Sequence, residues 1–285
     1  MTDTKALSPE ILLLIAQTLN LPMRGLIAVI ELLDDGGTVP FIARYRKEAT
    51  GNLDEVQIRN IEEKLVYFRE LVERRATILS SIAEQGKLTD ELRSRIEATF
   101  DKSELEDLYL PYRPKRRTKA TIAREKGLEP LALYLWSQEI TSGPLESFAA
   151  SFVNVDLGVA TVDEALEGAR HIVAEWISEN ADLRKALRQI VFDEGVVVSQ
   201  KLVDAADEQQ KFRMYYEYRE PVKSIPSHRM LAIRRGESEK VLYFLIELER
   251  QRPLAVIQKH TQLLSERLSY RWIERQSGKP ECHEW

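Results

Sequence analysis

The sequence predicts an all-α protein, mainly helical with room for one or two short strands, built as an elongated multi-helix array with helix-turn-helix-like connections. Three observations lead there. Apolar residues recur at spacings of three and four along most of the chain, the signature of one buried helical face. Serine, threonine and asparagine stand just ahead of these stretches, often with an acid three residues on, as helix starts require. Glycine and proline number only 12 and 11 among 285 residues, too few for a low-complexity chain, while 44% hydrophobic and 31% charged residues are enough to bury a core and stay solvated.

The elements follow in order. Ser8 reads as an N-cap, Pro9 as a first helical residue and Glu10 as an acid facing the helix dipole, opening a helix through Leu19. A second helix follows Pro22 and stops at Asp35-Gly36-Gly37. The longest begins where Asn52 is placed to cap and Glu55 to reach back, and ends at Gln85-Gly86. Its stripe of Ile58, Ile61, Leu65, Phe68, Val72, Leu79 and Ile82 faces a partner helix, interrupted at Arg75. Thr89 and Ser103, the latter with Glu106, read as caps of two short helices ending at Pro111.

Pro111 and Pro114 then force extended backbone, since proline lacks an amide proton and biases its predecessor away from helix. Short helices resume over 121–126, 129–137 and 144–152. Thr161 with Glu164 opens another helix to about Ser178, and a further one covers Ala181 to Phe192. After Gly195, Val196 to Val198 favour a strand or buried connector, and helix is expected to resume over Asp204 to Lys211. Ser227 to Arg235 reads as a helix closed by Gly236, Val241 to Leu248 as a strand, and Leu254 to Ile273 as the last helix. Three regions result: 1–110, 111–195 and 196–285.

Several chemistries are disfavoured. The apolar runs fall well short of the roughly 20 residues a membrane span needs, and no signal-like stretch opens the chain. A single cysteine, Cys282, precludes an internal disulfide framework and fits a reducing cytoplasm. Gly36-Gly37 lacks the following Lys-Ser/Thr of a phosphate-binding loop. The four histidines form no helical two-histidine pair; His171 with Glu175 reads as a surface or packing pair, and Cys282 with His283 as an adventitious metal site only. Glu104, Glu106 and Asp107 are better explained as first-turn acids than as a catalytic carboxylate group. The chain is therefore expected to be nonenzymatic, with no cofactor, no metal and no small-molecule substrate.

The net charge of −5, from 41 cations and 46 acids, gives no overall attraction for polyanions. Between Arg113 and Lys126, however, seven cations face one acid, Glu125. Arg113, Lys115, Arg116, Arg117, Lys119 and Arg124 on a proline-stiffened loop are suited to successive backbone phosphates, with Tyr109 and Tyr112 close enough in sequence to pack on a base or sugar. The alternative is a solvated loop, or one that pairs with acids of another domain. His228 and Arg229 present a similar choice: contact with phosphate, or simple neighbours of Ser227 capping a helix.

The segments Thr38-Val-Pro-Phe-Ile-Ala-Arg-Tyr-Arg-Lys-Glu-Ala-Thr-Gly51, Glu104-Leu-Glu-Asp-Leu-Tyr-Leu-Pro-Tyr-Arg-Pro-Lys-Arg-Arg-Thr118, Gly127-Leu-Glu-Pro-Leu131 and Ile225-Pro-Ser-His-Arg229 closely resemble the Tex family of bacterial transcription accessory proteins. The likeness runs from about Ser8 to Leu248. It implies an elongated, mostly helical N-terminal portion of a longer protein in which RNase H-like YqgF, helix-hairpin-helix and S1 RNA-binding domains come later. It also implies a helix-turn-helix region, sequence-nonspecific RNA or DNA as partner, and action on transcription complexes in the cytoplasm. A protein-interaction scaffold, whose basic loop docks on acidic domains or on the transcription machinery without binding nucleic acid itself, is the competing expectation.

Overall fold

The computed structural model describes residues 7–137, 145–203, 205 and 210–261. These are mostly helical, with one small three-stranded sheet. The chain divides into two compact units, Met1–Arg113 and Pro114–Trp285.

The first unit is wholly helical in its described residues: α1 (Pro9–Leu19), α2 (Met23–Asp34), α3 (Val39–Tyr45), α4 (Lys47–Thr50), α5 (Glu55–Glu84), α6 (Asp90–Glu97) and α7 (Lys102–Tyr109), followed by a 3-10 turn at Leu110–Tyr112. Ser8 caps α1 by accepting a hydrogen bond from the Ile11 amide at 3.4 Å. Helix α5 is the spine against which α1, α2, α3, α6 and α7 pack. Its buried line is Ile58, Ile61, Leu65, Phe68, Leu71, Ile78 and Ile82, so Leu71 and Ile78 take the places assigned to Val72 and Leu79, which are only partly buried. Arg75 lies on that line rather than beside it, four residues after Leu71 and three before Ile78. It stays there because its Nη2 donates to the Thr99 carbonyl at 2.6 Å and its guanidinium lies 5.6 Å from the Phe100 ring. Burial lowers its pKa.

Two caps differ from expectation. Helix α5 starts at a capping box of Asp54 and Gln57, with Gln57 N donating to Asp54 Oδ1 at 2.8 Å and Asp54 N to Gln57 Oε1 at 3.0 Å. Asn52 instead holds a left-handed backbone, φ 66°, which is incompatible with the extended N-cap geometry. Helix α7 is capped by Asp101, which accepts from the Glu104 amide at 2.9 Å, leaving Ser103 inside the first turn.

The second unit opens with α8 (Lys119–Glu125), α9 (Glu129–Ser137), α10 (Leu145–Ala150) and α11 (Val162–Ser178), with α8, α9 and α10 all packed on α11. Ala165, Ala169, Ile172 and Val173 of α11 meet Ala120, Ala123, Leu128, Leu131 and Ala149 in one core. Thr161 caps α11 as expected, through the Glu164 amide at 3.2 Å, while the Glu164 carboxylate accepts from the Ala160 amide rather than from Thr161. Next come α12 (Ala181–Glu194), β1 (Val196–Lys201), β2 (Glu217–Pro221), α13 (Ser227–Ser238), β3 (Leu242–Glu247) and α14 (Gln251–Thr261).

Strand β1 is central in an antiparallel sheet of order β2-β1-β3, with Val198 opposite Arg219 on one side and Leu245 on the other. Helix α13 runs on to Ser238, so Gly236 is not its cap: it is buried within the helix, where an added Cβ would lie 2.5 Å from Leu242 Cδ1. Ser227 is the first helical residue, Pro226 stands at the N-cap, and Ser227 makes no capping hydrogen bond. Of the helix expected over Asp204 to Lys211, Ala205, Gln210 and Lys211 are not helical and the rest lies outside the described residues, as do Pro144, the stretch from Gln262 to Ile273, Cys282 and His283.

Candidate nucleic-acid interface

The basic segment emerges from the 3-10 turn of the first unit at Arg113 and enters the second at Pro114. Arg113 has extended backbone, φ −67° and ψ 135°, consistent with its place before proline. In the second unit, residues 114–118 carry no regular structure until Thr118 caps α8 by accepting from the Thr121 amide at 3.0 Å.

Two carboxylates on α11 organise part of this segment. Glu175 sits in the last turn of α11 and Glu179 at its C-cap, where the helix dipole is negative and a further anion is unfavourable. Their side chains are only 9% and 14% exposed, so both need cationic partners. Lys115 supplies one to each: its Nζ is 3.5 Å from Glu175 Oε2 and bonds Glu179 Oε1. Arg124, in the last turn of α8, places Nη1 2.6 Å from Glu175 Oε2 and Nε 3.5 Å from Glu129 Oε1. Thr118 Oγ1 donates to Glu175 Oε1 at 3.2 Å. Burial raises the Glu179 pKa, opposed by the hydrogen bond from Lys115.

The remaining cations divide. Arg117 pairs with Glu125 at 2.7 Å, an exposed bridge between side chains 69% and 52% accessible, which solvent and salt weaken. Among the described residues, Arg113, Arg116 and Lys119 are exposed and enter no ion pair. His228 is also exposed, whereas Arg229 Nη1 donates to both Glu220 oxygens at 3.1 and 3.0 Å and to Tyr218 Oη at 3.4 Å. Thus four of the eight residues singled out from sequence, Lys115, Arg117, Arg124 and Arg229, are held by carboxylates of the same chain.

Tyr109 is buried, shares a hydrogen bond of 3.2 Å with Ser81 and lies 5.3 Å beneath the Arg74 guanidinium, so it is a packing residue with no face for a base. Arg74 also forks onto Glu106, Nε to Oε1 at 2.5 Å and Nη2 to Oε2 at 3.0 Å, which lowers the Glu106 pKa and joins α7 to α5. His171 pairs with Glu167 at 3.7 Å rather than with Glu175, because Glu175 turns toward Arg124 and Lys115. Among the described residues no group of three or more His, Cys, Asp or Glu is placed to hold a metal ion, and no single helix is long and apolar enough to cross a membrane.

A feature that charge counting passed over lies in the first unit. Phe41 and Tyr45 of α3 are 43% and 63% exposed, with ring centroids 5.3 Å apart, and Arg44, Arg46 and Lys47 are exposed around them. The i,i+4 spacing of two aromatics beside three cations was available in the sequence as the signal.

Comparison with known proteins bears on both units. Residues 9–83 match the Tex-like protein N-terminal domain and residues 141–281 the Tex central region-like family. Protein YhgF of Escherichia coli strain K12 is 51% identical over 224 residues, covering 79% of this chain and 29% of the relative. The transcriptional accessory protein Tex of Neisseria gonorrhoeae is 44% identical over 265 residues, 91% of this chain and 34% of the relative. The human S1 RNA-binding domain-containing protein 1 is 30% identical over 222 residues, 75% of this chain and 22% of the relative. The chain thus spans about a third or less of the length of these relatives. Its helical spine, its ordered sequence motifs and these matches together place the chain in the Tex family of transcription accessory proteins, across that family's N-terminal and central regions.

Proposed function

We propose that this chain is a nonenzymatic helical scaffold that serves transcription in the cytoplasm and contributes sequence-nonspecific contacts to RNA or DNA through the segment of its second unit at Arg116, Arg117 and Lys119. The observation that carries this reading is that Arg116 and Lys119 stand exposed without ion-pair partners on a segment that Lys115 anchors to Glu175 and Glu179. An anchored loop presents its remaining cations at lower ordering cost than a free one, and cations so held meet backbone phosphates without reading base edges. The relatives named for transcription and for an S1 RNA-binding domain support the same direction.

The test is a titration of fluorescent RNA and DNA against the chain across a salt series. Binding with a negative log-log slope that flattens on the double reversal Arg116→Glu/Arg117→Glu supports the reading; an unchanged affinity and slope excludes this loop.

One observation favours a second reading. Lys115, Arg117 and Arg124 each select a carboxylate partner inside the chain, so the same face is suited to acidic protein surfaces. A scaffold of that kind captures an acidic protein partner and leaves the oligonucleotide unbound at low salt.

A further inference from the structure

Helix α3 carries two faces of opposite character. Val39 and Ile42 are 6% and 0% exposed and pack the helix on α5, while Phe41 and Tyr45, one turn apart, turn their rings to solvent. The chain then breaks at Arg46, whose backbone, φ −127° and ψ 25°, leaves helical geometry before α4 begins. Arg44 on the last turn of α3, Arg46 at the break and Lys47 at the start of α4 are all exposed, against one neighbouring acid in sequence, Glu48. Arg46 lies 5.6 Å from the Phe41 ring, and among the described residues none of the three cations enters an ion pair.

The platform is also held firmly. Gly25 of α2 lies against the Thr50 carbonyl that ends α4: a Cβ there would be 2.8 Å from that oxygen. Thr50, fully buried, donates its hydroxyl to the Lys47 carbonyl at 3.1 Å. Arg46 and Lys47 are therefore carried at the start of a helix whose end is packed against α2, beside the rings and Arg44 on α3.

We propose that Phe41, Tyr45, Arg44, Arg46 and Lys47 form a single-stranded nucleic-acid site, in which the rings stack on unpaired bases and the cations hold the adjoining phosphates. Exposed planar rings interleaved with cations match both halves of a nucleotide, and stacking is open to every base. A duplex hides its base faces and offers this surface only its phosphates. An acidic peptide satisfies the cations but leaves the two rings without a partner of matching planarity. The site lies wholly within the first unit and does not rest on the loop that follows Pro114.

The full chain is titrated with three fluorescent probes at several salt concentrations: a pyrimidine 15-mer single strand, the same strand made abasic, and a duplex of equal length. The expected result is tighter binding of the base-bearing strand than of the abasic one. Phe41→Ala/Tyr45→Ala should then weaken that strand at least about fivefold, the loss of one stacked base, while leaving the duplex unchanged. Arg44→Glu/Arg46→Glu/Lys47→Glu should weaken all three and flatten their salt slopes.

Equal affinity for the intact and abasic strands, or no response to the aromatic double variant, overturns the site. So does displacement of the strand by polyglutamate at equal charge concentration, which would assign the surface to an acidic protein. Circular dichroism of each variant confirms that the helices are retained; loss of helicity in the alanine variant moves the aromatic test to Phe41→Leu/Tyr45→Leu, judged by the same affinities. The control Arg116→Glu/Arg117→Glu reports on the loop alone, so failure at either place is read separately.

Discussion

Arg124 Nη1 lies 2.6 Å from Glu175 Oε2, so a cation counted as available for phosphate instead neutralises a carboxylate that is only 9% exposed. The pair stands at the C-terminal end of α11, where the carboxylate opposes the helix dipole and the guanidinium offsets both charges. Stability and polyanion binding therefore pull in opposite directions at this point.

Glu175→Ala makes that opposition measurable. Removing the carboxylate leaves Lys115 and Arg124 partly unpaired and should cost roughly 1–3 kcal/mol in a denaturant titration, below the full value for a buried pair because both cations are about a third exposed. The same variant should bind oligonucleotides more tightly at low salt, with a log-log slope steeper by as much as about 0.9 for each cation that becomes available to a duplex.

Within the loop, the single reversal Arg116→Glu should reduce polyanion affinity more than Arg124→Glu does through lost contact, because Arg116 is exposed and without an ion pair while Arg124 is committed to Glu175 and Glu129. Arg124→Glu should show its effect in the melting temperature instead. Parallel salt titrations and thermal melts of the two variants separate these outcomes.

Gly25→Ala should destabilise the first unit by about 1–3 kcal/mol, since the new methyl meets the Thr50 backbone oxygen at 2.8 Å and Leu53 Cδ1 at 3.4 Å. A backbone oxygen cannot rotate away as a side chain can, so α4 must shift to admit the methyl. The midpoint of a urea titration checks it, and a parallel loss of affinity for single strand and duplex, as Lys47 moves with α4, would tie the shift to the α3–α4 platform.

His171 provides a pH dependence with a definite sign. Burial, and then the nearby Lys119, lower its pKa, so the folded state disfavours the imidazolium relative to the unfolded chain. As pH falls through about 6.5 the unfolded state takes up the proton first, and stability declines until the lower folded pKa is passed. His171→Asn should flatten this part of the stability profile, measured as denaturant midpoints from pH 7.5 to pH 5.

Much of the helical frame was legible because its signals are local. Ser8, Thr89 and Thr161 cap the helices they were expected to cap, and α9 spans Glu129–Ser137 as read. The errors cluster where two residues compete for one local role. Asp54 displaces Asn52 because Asn52 takes a left-handed turn, and Asp101 displaces Ser103 as the acceptor for the Glu104 amide. Strand β2 escaped notice because its five residues, Glu-Tyr-Arg-Glu-Pro, carry little strand character of their own and are held by pairing with β1. Phe41 and Tyr45 were visible as a pair at helical spacing beside three cations, but only packing shows that their face is the outer one.

Periodicity, capping and charge order along the chain sufficed to determine a mainly helical character, the long α5 and the place of the cationic segment, since each depends on residues within a turn or two of one another. Which cations remain available to a partner was decided by tertiary structure alone. Glu175 and Glu179 reach Lys115 and Arg124 only once α11 packs on α8, and burial there makes carboxylate pairing more favourable than leaving either charge in isolation.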